Sequence, residues 1–153
     1  MNAIAELLKP EDILLDVNVS SKSQLLEEIG RHMERTHALS QEWVALSLAR
    51  REKVGSTGLG DGFAIPHARV KDLDRIQLAY LRPMSPIPFG APDGKPVTDI
   101  LVVLAPKQSA EEHLIILADA ARMFANQRFC VQLRLCGNPV AVKRLFETWA
   151  LPS

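Results

Sequence analysis

Seventeen consecutive residues, Arg51-Glu-Lys-Val-Gly-Ser-Thr-Gly-Leu-Gly-Asp-Gly-Phe-Ala-Ile-Pro-His67, gather the side chains and backbone best suited to chemistry. Gly55, Gly58, Gly60 and Gly62, four of the eight glycines in the chain, fall within eight positions, and the segment ends on a histidine directly behind a proline. Glycine reaches positive φ without a Cβ clash, so such a loop can turn several backbone N–H groups into one anion-binding concavity. A tight surface connection with no ligand fits the same glycines. The spacing is not G-x-G-x-x-G and a predicted helix precedes it, which argues against a dinucleotide fingerprint. A Walker A loop needs Gly-Lys-Ser or Gly-Lys-Thr entering a helix, whereas this chain enters the β-like run Phe63-Ala-Ile65. Pro66 fixes its own φ and confines Ile65 to extended conformations, so the backbone arriving at His67 is held. Imidazole, with an unperturbed pKa of about 6.5, offers a neutral nucleophilic nitrogen near pH 7. A held histidine beside an anion-binding loop points to phosphoryl chemistry; a purely structural histidine is the reading that competes with it.

The other histidines say less. His113 falls in the first turn of a predicted helix, where the dipole disfavours its protonated form, and a packed or exposed imidazole competes with a functional one. His32 and His37 fall near a helix end and in the following loop, do not form an i, i+4 metal pair, and are expected to be solvated. Cys130 and Cys136, six residues apart on a predicted helix, face different ways and fit neither a disulfide framework nor a zinc site.

Elements that could position these residues follow from periodicity. Ile4, Leu7 and Leu8 make a short amphipathic turn, and Ile13-Leu14-Leu15-Asp16-Val17 reads as a strand. Ser21 with Gln24 forms a capping box before Leu25, Leu26, Ile29 and Met33, which predicts a helix over 22–35. Ser40 caps a second helix reaching about Lys53, which carries Arg50 and Arg51 to its C-terminal end beside the glycine loop. Ile76, Leu78 and Tyr80 alternate with Gln77 and Ala79 as in a half-exposed strand. Pro83, Pro86 and Pro88 then impose irregular chain, with a turn over 91–96. The run from Ile100 to Leu104 suits a central strand buried on both faces. A capping box from Ser109 to Glu112 opens a helix bearing Leu114, Leu117, Ala121 and Phe124, and two shorter helices, near 128–135 and from Asn138-Pro139 onward, finish the chain. Trp43 and Trp149 are expected in the core. Strands alternating with helices predict an α/β fold, one domain over residues 1–153 with a mixed β-sheet flanked by helices.

Composition excludes several classes. Eighteen basic residues balance eighteen acidic ones and neither sign forms a run, so nothing draws the whole chain to nucleic acid. A start of MNAIAELLKPEDILL lacks a secretory pattern, and no stretch of about 18 apolar residues predicts membrane insertion. A cytoplasmic protein is expected.

The Arg51–His67 segment closely resembles the active-site segment of phosphotransferase-system enzyme IIA domains of the fructose/mannitol class. The resemblance extends to the strand ending Leu104-Ala-Pro106, to Glu112-His113-Leu114 in the next helix, and to the helix order of nearly the whole chain. Within the class, the form is most similar to the nitrogen-regulatory enzyme IIA branch. The resemblance implies that His67 is the phosphoryl acceptor, at Nε2, and that its donor is the phosphohistidine of an HPr-like carrier, the nitrogen-branch NPr. Arg51 would meet the phosphoryl oxygens with fixed charge and N–H donors, His113 would hydrogen-bond the same group, and Gly55, Ser56, Thr57, Gly58, Gly60 and Gly62 would form a phosphoryl-binding loop. No metal or other cofactor is expected. A regulatory phosphocarrier would bind cytosolic partners, with potassium-uptake systems and sensor kinases as the family's examples, according to its phosphorylation state. A sugar-transport enzyme IIA passing phosphate to an enzyme IIB, and a binding module never phosphorylated, are the alternatives. Two positions depart from the family pattern, Ala68 for a common glycine and Phe63 for an aliphatic residue, and both are expected to alter partner contact rather than chemistry.

Overall fold

A computed structural model describes residues 2–108 and 111–149. Helix α1 (Ala3–Leu7) and a 3-10 turn (Pro10–Asp12) lead into β1 (Ile13–Val17). The chain continues through α2 (Lys22–His37), α3 (Gln41–Val54), β2 (Gly58–Gly60), β3 (Phe63–Ala64), β4 (His67–Val70) and β5 (Gln77–Pro83). It ends with β6 (Asp99–Pro106), α4 (Glu112–Ala125), α5 (Gln127–Leu135) and α6 (Pro139–Thr148). This is an α/β domain on a mixed sheet, as the alternation of elements predicts. The path through the sheet runs β1-β5-β6-β3-β2, with β4 also paired to β6.

Two apolar layers enclose the sheet. Leu78, Tyr80, Leu101 and Val103 face Ile116, Phe129 and Phe146 of α4 to α6. Ala79, Leu81, Val102 and Leu104 face Leu25, Ile29, Val44 and Leu48 of α2 and α3. Fully burying one such aliphatic side chain is worth about 1.5–3 kcal/mol, so the two layers, rather than local propensity, fix the short strands. β5 differs from the half-exposed strand expected of its alternation. It lies between β1 and β6, and Leu78, Ala79, Tyr80 and Leu81 are all buried, because helices cover both sheet faces. The short side chain of Ala79 imitates a polar position in the pattern while filling an apolar one.

The caps follow the sequence with one shift. Ser21 Oγ accepts from Gln24 N (3.1 Å), but Gln24 Oε1 accepts from Ser20 N (2.8 Å) rather than from Ser21. The expected box on Ser109 lies outside the described residues; α4 opens at Glu112 after Glu111. Phe63 does not reach a partner surface. It is wholly buried and stacks on Phe124 at 4.6 Å between ring centroids. Trp43 is 42% exposed rather than in the core, whereas Trp149 packs on Phe129.

The proline-rich segment has a structural function. Ile87 pairs with Val97 as an isolated bridge, and Ile87 and Phe89 are buried in the layer beneath α2 and α3. The Phe89 carbonyl accepts from Ser56 Oγ at 2.7 Å, so this segment backs the glycine loop.

Candidate functional site

His67 begins β4, and its immobility has a visible cause. β3 and β4 run along the same edge of β6, with Phe63 opposite Asp99 and His67 opposite Val103. Pro66 lacks an N–H and interrupts this edge, but its carbonyl accepts from Val103 N at 3.0 Å. The backbone is therefore anchored immediately before the histidine. The ring is anchored too: Nδ1 lies 2.9 Å from the Ile65 carbonyl. A carbonyl only accepts, so Nδ1 carries the proton and the Nε2 lone pair is left free to face outward.

Nε2 meets Arg51. Arg51 Nε donates to it at 3.3 Å, and Arg51 Nη1 donates to the Gly55 carbonyl at 2.8 Å. The guanidinium is thus braced by the first residue of the glycine loop and aimed at the nucleophilic nitrogen. Around this pair opens a cleft of about 380 Å³ lined by Arg50, Arg51, Arg69, Lys107, His67 and His113, with Trp43 and Val103 among its apolar wall. Among the described residues no carboxylate lines it. Four fixed cations around one imidazole, in a chain with zero formal net charge, make a local site for an anion.

His113 reaches the cleft from the first turn of α4, and Arg69 Nη2 lies 3.5 Å from its Nε2. Its Nδ1 is buried without a partner among the described residues, so Nε2 is the nitrogen offered to the cleft. Desolvation first, then the charges of Arg69 and His67, hold the His113 imidazole below its ordinary 6.5. An NMR pH titration is expected to show His113 titrating below that value, and Arg69→Ala is expected to move it upward. The sign follows: a folded-state pKa below the unfolded one means that the unfolded chain binds more protons, so this group's contribution to stability falls as pH drops below 6.5.

His67, Arg51 and His113, singled out from sequence, therefore meet in one place. None of the six loop residues expected to bind phosphoryl, Gly55, Ser56, Thr57, Gly58, Gly60 and Gly62, lines the cleft, and Gly55 reaches it only through Arg51. Thr57 is buried, with its N–H and hydroxyl both donating to Glu52. Gly58 packs so closely on the proline-rich segment that an added Cβ would lie 2.9 Å from that of Ala91. Gly60 and Gly62 take φ of +99° and +88°, the left-handed region a hairpin between β2 and β3 requires. Sequence reasoning missed Arg69 and Lys107. Arg69 had a usable cue, since i and i+2 on a strand share a face; Lys107 follows the end of β6 and had none.

His32 and His37, expected to be solvated, instead converge on Asp12, and His37 closes α2 rather than lying in the loop after it. His32 is buried, and its Nε2 lies 2.7 Å from Asp12 Oδ1; His37 Nε2 lies 2.6 Å from the same oxygen. Burial alone would raise the Asp12 carboxyl, but the hydrogen bonds from His32 and His37 outweigh it and hold the group below the ordinary carboxylate range. None of the three lines the His67 cleft.

Among the described residues no helix is long and apolar enough to cross a membrane. Residues 6–149 match the family model described as "Phosphoenolpyruvate-dependent sugar phosphotransferase system, EIIA 2". A nitrogen regulatory protein of Bradyrhizobium diazoefficiens is 34% identical over 149 residues, covering 97% of this chain and 95% of that protein. The crystal structure of nitrogen regulatory protein IIA-Ntr from Neisseria meningitidis superposes with a TM-score of 0.88 at 39% identity, covering 94% of this chain and 99% of that one. The complex of enzyme IIAMTL and phosphorylated enzyme IIBMTL from Escherichia coli, at 18% identity and a TM-score of 0.76 over 92% of this chain and 99% of that one, shares the fold. The chain therefore belongs to the EIIA 2 family of the phosphoenolpyruvate-dependent sugar phosphotransferase system, with greater similarity to these nitrogen regulatory proteins than to the mannitol-type structure.

Proposed function

We propose that the protein is a cytoplasmic phosphocarrier of the nitrogen-regulatory kind, a single EIIA type-2 domain over residues 1–153 that accepts a phosphoryl group on His67 Nε2 from a phosphorylated HPr-like protein, the nitrogen-branch NPr. One observation carries the reading: Nδ1 is tied to the Ile65 carbonyl while Nε2 faces Arg51 across a cationic cleft. The Nε2 lone pair attacks phosphorus as the P–N bond to the donor imidazole breaks, and the donor ring leaves with that electron pair. The positive charge that develops on the His67 ring is stabilised by its Nδ1–H donating to Ile65. Arg51 shifts from the nitrogen to the equatorial oxygens, as the arriving group takes its place; Arg69 turns from His113 Nε2 to the same oxygens, and His113, with its proton then on Nε2, donates from the other wall. The glycine loop acts chiefly through Gly55, which braces Arg51. Such transfer asks mostly for positioning and charge stabilisation, and this site provides both.

Exposed Leu114 and Ile115, 56% and 58% accessible beside His113, form an apolar rim suited to a protein donor rather than a small molecule. The added charge, near −2, would then change which cytosolic regulatory proteins bind, with potassium-transport systems and sensor kinases as candidate classes. The test supplies phosphoenolpyruvate, enzyme I and either NPr or HPr, and follows acid-labile phosphate by intact mass. Uptake from NPr without onward transfer to an enzyme IIB supports the regulatory reading. Rapid transfer to an enzyme IIB favours a sugar-transport role, and no uptake from either carrier overturns phosphocarrier function.

A further inference from the structure

Asp12, His32 and His37 bring three potential ligand atoms within 4.8 Å of one another, in a place the phosphoryl chemistry does not use. We propose that they form a binding site for a divalent transition-metal cation of the zinc class. Two imidazoles and one carboxylate are a donor set that suits zinc, and cations such as calcium and magnesium prefer all-oxygen sites.

The parts around the donors match what a metal site needs. Gln77 Nε2 donates to Asp12 Oδ2 at 3.1 Å, which turns Oδ1 toward the two rings. Thr36 Oγ1 lies 3.4 Å from His32 Nδ1. In the metal-free arrangement both Nε2–H groups donate to Oδ1; on binding, each ring proton moves to Nδ1 and the freed Nε2 lone pairs turn to the cation. Thr36 then accepts from His32, the outer hydrogen bond that fixes the tautomer of a ligating histidine.

Geometry requires a modest adjustment. Donors at about 2.0–2.1 Å from a tetrahedral zinc stand about 3.3 Å apart, so the 2.6 and 2.7 Å separations to Oδ1 must open by roughly half an ångström. His37 can supply that movement, because its side chain is 25% exposed while those of His32 and Asp12 are buried. It also borders a cleft of about 460 Å³ reaching to Gln77, which gives an entry path and room for a water as the fourth ligand. Lys9 and Arg75 line this cleft together with Asp74, so affinity must come from ligation and not from a negative field.

The test is calorimetric titration of the chelator-treated full chain with Zn²⁺, alongside His37→Gln, Asp12→Asn and His67→Ala, with Mg²⁺ as the control cation. One equivalent of Zn²⁺ is expected in wild type and in His67→Ala, and none of Mg²⁺. His37→Gln, at a half-buried helix end where the fold should survive, is expected to weaken binding by at least the ~10–100-fold that loss of an outer hydrogen bond alone can cause. Zn²⁺ should raise the melting temperature of wild type and leave that of His37→Gln unchanged. Wild type taking no equivalent, or His37→Gln binding as tightly as wild type, overturns the proposal; Asp12→Asn adds a second ligand test if it folds.

Discussion

His67→Ala is expected to abolish phosphoryl uptake while leaving the fold almost untouched. His67 is only partly buried, and its ring bonds just the Ile65 carbonyl and Arg51, so its loss opens no apolar cavity. Substitutions of this kind usually cost within about 0.5 kcal/mol, and thermal melting should show a wild-type transition. Uptake, by contrast, has no substitute nucleophile. His113 offers an imidazole in the same cleft, but its ring is largely buried, held toward the neutral form and turned with Nε2 against the Arg69 guanidinium, without the Nδ1 anchor that aims His67. Arg51→Ala should leave slow uptake rather than none. Loss of one preorganised donor typically costs about 10²–10³ in rate, and Arg51→Lys should recover only part of it, because a lysine ammonium cannot span the Gly55 carbonyl and the phosphoryl oxygens at once. Rates of phosphorylation by intact mass, with melting curves on the same samples, check all three variants.

Asp99→Ala is expected to cause the largest loss of stability. The Asp99 carboxylate is 1% exposed at the start of β6, where it accepts from Tyr80 Oη, from Thr98 Oγ1 at 2.7 Å and from Arg82 Nε at 3.4 Å, with Arg134 Nε at 3.8 Å. Arg82 in turn donates to the Leu133 and Cys136 carbonyls, both at 2.7 Å, so the cluster ties the sheet to the end of α5. Removing the carboxylate leaves the half-buried Arg82 and the fully buried Tyr80 phenol without their anion. Breaking such a pair costs about 3–5 kcal/mol, or on the order of 10 °C in Tm for a chain of this size. Asp99→Asn, which keeps the shape and one acceptor, should cost less. Chemical denaturation with a wild-type m-value distinguishes loss of stability from a change of fold.

How much of this was legible in the sequence depended on how local each cause is. α2 was readable because Leu25, Leu26, Ile29 and Met33 repeat at helical spacing behind the Ser21 cap, and β6 because Ile100 to Leu104 is unbroken. β4 was not, since His67-Ala-Arg-Val has no apolar alternation of its own; it is a strand only because β6 lies beside it and accepts its pairing. The same limit applied to the site. Arg51 and His67 were tied by one motif, and His113 by resemblance, but the cue for Arg69 needed β4 to be known as a strand, and Lys107 enters only because it follows the end of β6. The glycine loop was assigned to ligand contact, while in the fold its glycines serve a hairpin packed beneath the proline-rich segment. Asp12, His32 and His37 stayed hidden for a related reason. Five residues along a helix separates two side chains by about 140° around its axis, and the group that joins them lies twenty positions earlier in the chain.

The central claim is that His67 Nε2 is the atom that carries phosphate, and one experiment addresses it directly. The ¹⁵N-histidine-labelled protein, phosphorylated through enzyme I and its carrier, is followed by long-range ¹H–¹⁵N NMR, which distinguishes the two ring nitrogens of each histidine. The account predicts phosphate on Nε2 of His67, with Nδ1 still protonated against the Ile65 carbonyl. Phosphate on Nδ1 of His67, or on any other histidine, would contradict it.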